Sequence, residues 1–93
     1  MSRPRLNRHV CIQPHITYFK PRGIPLKELQ HVHLTREELE ALWLVDEKGY
    51  DQIQAAHHMK TSQSTIQRLV TAARKKVSHA LITGKAIAIE TYE

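Results

Sequence analysis

The sequence has almost no cysteine: Cys11 is the only one in 93 residues. A single thiol excludes an internal disulfide and fits a reducing cytoplasm. Long apolar runs are lacking too. The longest, Ala41 to Val45, is far too short to span a bilayer, so no membrane association is expected. Behind Met1 stand Arg3, Pro4, Arg5 and Arg8 with no apolar stretch, and no signal peptide is readable. There is no glycine-rich phosphate loop and no carboxylate pair spaced for acid–base work. Cys11, beside His9 and Arg8, has the neighbours of a reactive thiol, but a Val-Cys-Ile context is that of half-buried packing. An enzyme is not expected.

Metal-ligand spacing is also scarce. His9-x-Cys11-x3-His15, His31-x-His33 and the adjacent His57 and His58 are zinc ligands in principle, yet no CxxC and no HxxxH occurs. Adjacent histidines on a helix project about 100° apart and do not readily share an ion. The histidines are therefore read as surface or DNA-proximal groups, with no metal and no cofactor expected; a metal-sensing regulator is the minority alternative.

What is present is a basic chain with ordered punctuation. The net charge is +5, with 25% charged and 41% hydrophobic residues, a globular composition suited to one domain with a modest core. Acidic residues gather at Glu37, Glu38, Glu40, Asp46 and Glu47. Basic ones gather at the N-terminus and at Arg68, Arg74, Lys75 and Lys76. A one-signed face attracts a polyanion. All four prolines fall in residues 1–33, which marks that stretch as a non-helical segment packing on a core formed by 34–93. Within it, residues 9–12 (HVCI) and 16–19 (ITYF) read as short extended pieces.

Helix one starts at Thr35, with Glu38 completing a capping box, and is closed by Gly49. Its apolar stripe is Leu39, Leu42 and Trp43; Leu44 and Val45 point elsewhere and need a second cover, from Tyr18 and Phe19 or from another subunit. Helix two starts at Asp51, with Gln54 reaching back, and runs through Ile53, Ala55, Ala56 and Met59. Helix three starts with Ser62 as N-cap and runs to about Thr83 before Gly84. Its buried stripe is Ile66, Leu69, Val70, Ala73, Val77 and Leu81. The alternating Lys85–Glu90 stretch reads as a strand able to pair with residues 9–12.

Helices two and three have the outline of a helix-turn-helix, in which the small Ala55 and Ala56 permit a close crossing. Opposite Ile66, helix three displays Ser64, Arg68, Thr71 and Lys75, with Gln67 on the flank and Gln63 at the first turn. Together with Ser62 and Thr65, these are the side chains a recognition helix needs in a major groove. Gln bonds adenine in two places, Arg does so with guanine, and hydroxyls meet phosphates. Arg74, Lys75 and Lys76 are expected to hold the backbone. Lys60 occupies the turn position where glycine is usual, at a cost of about 1 kcal/mol, and adds positive charge. Arg3 and Arg5 are candidate phosphate contacts.

The same residues carry a resemblance. The RPR at 3–5, VC at 10–11, YFKP at 18–21, GIPL at 23–26, and LT, EE and EAL from 34 to 42 resemble a small bacterial and archaeal family with a helix-turn-helix similar to region 4 of sigma factors. The likeness continues through AA at 55–56, Met59, residues 73–77, AL at 80–81, GKA at 84–86 and IE at 89–90. It implies a cytoplasmic DNA-binding protein that reads bases with Gln63, Ser64, Gln67 and Arg68. Trp43 and the His57–His58 pair depart from charged positions of that family, and Gln63 stands where arginine is common. The expected fold is mostly α: a three-helix, sigma-region-4-like helix-turn-helix core with a small β pair from the N-terminal segment and the C-terminal strand. The expected function is sequence-specific binding of double-stranded DNA as a homodimeric transcriptional regulator. The rival is a protein-interaction module that docks on the transcription machinery without reading bases. Dimerisation is inferred from Leu44, Val45 and Ile82.

Overall fold

The computed structural model describes residues 10–12 and 14–91. Its elements are β1 (Tyr18–Phe19), a 3-10 turn (Leu26–Glu28), β2 (His31–Leu34), α1 (Arg36–Leu42), a π-helical turn (Trp43–Glu47), α2 (Gln52–Met59), α3 (Gln63–Thr83) and β3 (Ala86–Ile89). Three helices thus sit beside a small three-stranded sheet. β3 is its central strand, antiparallel to β1 and parallel to β2. Tyr18 lies opposite Ala88, and His31 to Leu34 run in register with Ala86 to Ile89.

Local chemistry starts each helix. Thr35 and Glu38 form a reciprocal capping box on α1, Asp51 and Gln54 do the same on α2, and the Ser62 hydroxyl accepts from the Thr65 amide on α3. Gly84 closes α3 at φ 73°. The crossover from β2 to β3 consumes all three helices, so the sheet and the helices close on one another.

The main core joins Ala41, Leu44, Ala55, Ala56, Met59, Ile66 and Val70. Four of these seven are larger than alanine; the three alanines let α1, α2 and α3 approach closely. A smaller cluster of Leu34, Ala73 and Ile89 sits between α3 and the sheet.

Several expectations are corrected. Leu44 is fully buried at the centre of the core, not turned away from it, because the π-helical turn resets the angular step after Leu42. Leu42 and Trp43 are only half-buried. Tyr18 and Phe19 do not cover Leu44 and Val45; both are exposed on β1, while Val10 packs against the core. Val10–Ile12 is not a strand: both edges of β3 are already taken, by β1 and β2. The sheet therefore has three strands where a pair was expected, and β2 straddles the expected boundary between residues 33 and 34. In α3, Ala80 is buried and Leu81 is 75% exposed, so the stripe passes one residue earlier at its last turn.

The acidic cluster of α1 is not a solvated face. Arg36, Glu37, Glu38 and Glu40 are all buried. Glu40 takes the place of a strand partner for the N-terminal segment: its carboxylate accepts from the amides of Ile12 at 2.8 Å and Cys11 at 3.1 Å. Arg36 Nη2 donates to the Ile12 carbonyl at 2.8 Å, completing that grip. Glu38 accepts from the Thr35 amide and from Lys76 Nζ at 2.8 Å.

Candidate nucleic-acid interface

The turn between α2 and α3 consists of Lys60, Thr61 and Ser62. Lys60 is the one non-glycine residue with positive φ among those described, at φ 56° and ψ 51°. Its amide donates to His57 O at 3.2 Å and that of Thr61 to Ala56 O at 2.9 Å, the paired bonds of a Schellman ending. That ending reverses the chain within three residues and aims the first turn of α3 outward.

On that first turn the side chains are linked. Ser62 Oγ lies 3.1 Å from Ser64 Oγ and donates to Thr65 Oγ1 at 2.9 Å, which in turn accepts from Arg68 Nη2 at 3.4 Å. Thr65 is half-buried, with its hydroxyl between Ser62 and Arg68. Gln63, Ser64, Gln67, Arg68, Thr71 and Lys75 are all exposed. They form one ridge along α3 opposite buried Ile66, Val70 and Ala73.

Two expected backbone-gripping cations are otherwise engaged. Arg74 makes a two-pronged pair with Asp46, with Nε to Oδ2 at 3.0 Å. The Arg74 guanidinium holds the Asp46 carboxyl below its ordinary pKa, first through the hydrogen bond and also through its charge, against the opposing effect of burial. Lys76 is turned to Glu38 on the other flank. Arg3 and Arg5 lie outside the described residues.

A signal that periodicity does not reveal is the charge of the strip itself. No Asp or Glu occurs between Asp51 and Glu90, which covers all of α2, α3 and β3. With Glu37, Glu38 and Glu40 buried, and Asp46 paired to Arg74, the ridge of α3 faces solvent with cations and amides and with no acid of its own.

Sequence spacing also missed a convergence behind the turn. Cys11, Glu40 and His58 place one potential ligand atom each within 4.8 Å of one another. The His58 ring is flanked by those of Trp43 and Tyr50, each 6.2 Å away edge to face, with Lys48 Nζ over both aromatics. His57 is exposed and outside the group.

The chain belongs to the family described as a protein of unknown function, DUF134, which it matches over residues 1–93. It is 50% identical over 97% of its length to a UPF0251 protein of Caldanaerobacter subterraneus, covering 76% of that relative. It is 49% identical over 97% of its length to one from Desulfosudis oleivorans, spanning 65% of the relative. A third, from Vibrio cholerae, is 43% identical over the whole chain and 95% of the relative. The family thus spans distant bacteria. No solved structure matches. Among the described residues, no helix is long and apolar enough to cross a membrane.

Proposed function

We propose that the chain binds double-stranded DNA sequence-specifically as a transcriptional regulator of helix-turn-helix type, similar to sigma-factor region 4. In this reading α3 enters the major groove. The observation that carries it is the acid-free ridge of Gln63, Ser64, Gln67, Arg68, Thr71 and Lys75, projecting from a tight turn whose strained residue is a cation. Arg68, steadied by Thr65, is the primary base reader, through two hydrogen bonds to a guanine. Ser62, Ser64 and Lys60 meet phosphates at the helix start, where amide dipoles favour anions. Thr71 and Lys75 follow the groove wall, and Arg74 becomes a phosphate ligand only by leaving Asp46. The protein acts as a homodimer on inverted half-sites about one helical turn, ~34 Å, apart.

The test is selection from a random duplex library with the purified chain at physiological salt, followed by sequencing. Enrichment of paired half-sites is expected. Arg68→Ala should weaken the selected site by about 1–3 kcal/mol and relax preference at one base pair. Salt-sensitive retention without an enriched motif leaves a nonspecific polyanion binder. No retention at all removes the reading and favours a module that docks on the transcription machinery.

A further inference from the structure

We infer that Cys11, Glu40 and His58 form a binding site for a single divalent cation of the zinc class. The three come from three different elements: the N-terminal segment, α1, and the last turn of α2. Their donor set of thiolate, carboxylate and imidazole is that of zinc and its close analogues, not of calcium or magnesium, which take oxygen. His58 Nδ1 lies 3.8 Å from Glu40 Oε2. That is too long for a hydrogen bond. It is close to the separation of about 3.3–3.6 Å that two ligands adopt around one tetrahedral zinc at ordinary bond lengths. All three donor atoms fall within 4.8 Å of one another, so a small contraction completes the triad.

The ligands are held before any ion arrives. Glu40 is fully buried, and its carboxylate is tied to the Cys11 and Ile12 amides. Those bonds fix where the Cys11 backbone sits, and Arg36 secures Ile12 from the other side. The His58 Nδ1 atom is shielded from solvent, and its ring is set by Trp43 and Tyr50. Cys11 is exposed, which leaves an approach from solvent. A divalent cation with a thiolate, a carboxylate and a neutral imidazole is electrically neutral, so the buried Glu40 charge is matched within its first coordination sphere. Three protein ligands leave a fourth position for water or an outside ligand, the pattern of an exchangeable site rather than a closed structural one.

Binding ties the N-terminal segment to α2 two residues before Lys60, and so bears directly on the turn that aims α3. Any effect of the ion on DNA affinity rests on the proposed function; the site itself does not.

The experiment is therefore read on the metal alone. Titration of the purified chain with Co²⁺ under reducing conditions should give one ion per chain, a thiolate-to-metal charge-transfer band, and displacement by Zn²⁺. Cys11→Ser should abolish the band. His58→Gln should weaken binding at least about tenfold, the scale on which even supporting contacts matter, while His57→Gln leaves it unchanged. Zn²⁺ should also protect Cys11 of the unaltered chain from alkylation, a readout that needs no variant to fold. Absence of the band, no protection of Cys11, or equal effects of the His57 and His58 variants would overturn the site.

Discussion

At the residue scale, Lys60 concentrates the cost and the use of the turn. A side chain in the left-handed region is disfavoured by roughly 1–2 kcal/mol, whereas glycine there is free of that penalty but gives the unfolded chain about 0.4–1 kcal/mol more entropy. Lys60→Gly should therefore raise stability by about 0.5–1 kcal/mol net in urea denaturation. If Lys60 meets a phosphate, the same variant should lower the slope of log affinity against log salt by about one; an unchanged slope would place Lys60 off the DNA. Asp46 offers the opposite lever. Its carboxyl titrates lower in the folded chain than in the unfolded one because Arg74 donates to it. The pair's contribution is thus present above the unfolded value and lost as pH falls through the depressed folded one, a window below about pH 4. Both partners are substantially exposed, so the contribution is small. Asp46→Asn should leave the neutral-pH melting temperature nearly unchanged, flatten the acid limb of stability, and free Arg74. The measurable consequence is tighter DNA binding with a salt slope steeper by about one.

At the element scale, the helix starts were legible and the interior of the first helix was not. Thr35, Asp51 and Ser62 act on amides three residues away, so a few neighbouring letters suffice to read them. The inward face of α1 depends on a uniform 100° step, which the π-helical turn at Trp43–Glu47 breaks; a uniform step places Leu44 off the stripe, under a second cover, whereas it lies in the core. Leu44→Ala should cost about 2–5 kcal/mol in chemical denaturation, as for other buried leucines; a nearly silent change would take Leu44 out of the core. Strand β2 carries a signal in its alternation of His31, Val32, His33 and Leu34. Its parallel partner lies beyond all three helices, and no local pattern reports such a pairing. The exposed ridge of α3 was readable because it needs only a regular helix and one buried anchor, Ile66. The engagement of Arg74 with Asp46 and the meeting of Cys11, Glu40 and His58 are contacts between elements, and periodicity within one element cannot supply them.

At the scale of the whole molecule, α3 changes character along its length. The polar ridge ends at Lys75, and the last turn leaves Leu81 75% and Ile82 83% exposed. Leu81 shares a shallow groove with Phe19 and Pro21 of the N-terminal segment, and Phe19 is itself 55% exposed. Leu44, once a candidate for subunit contact, is consumed by the core of the single chain, so the case for a second copy rests on this far end of α3. Placing the contact there keeps it away from the turn and leaves the ridge free for a groove. Ile82→Glu puts a charge into that patch at a position where no folded contact is lost, so the chain itself should remain stable. Sedimentation should find the unaltered chain dimeric and the variant monomeric. The variant should retain affinity for an isolated half-site while losing the added affinity for two half-sites one turn apart, since only linkage of the two sites has been removed. A dimer that survives Ile82→Glu would move the subunit contact away from this end of α3. A monomeric unaltered chain would make each α3 an independent reader and remove the paired half-site from the proposed mode of binding.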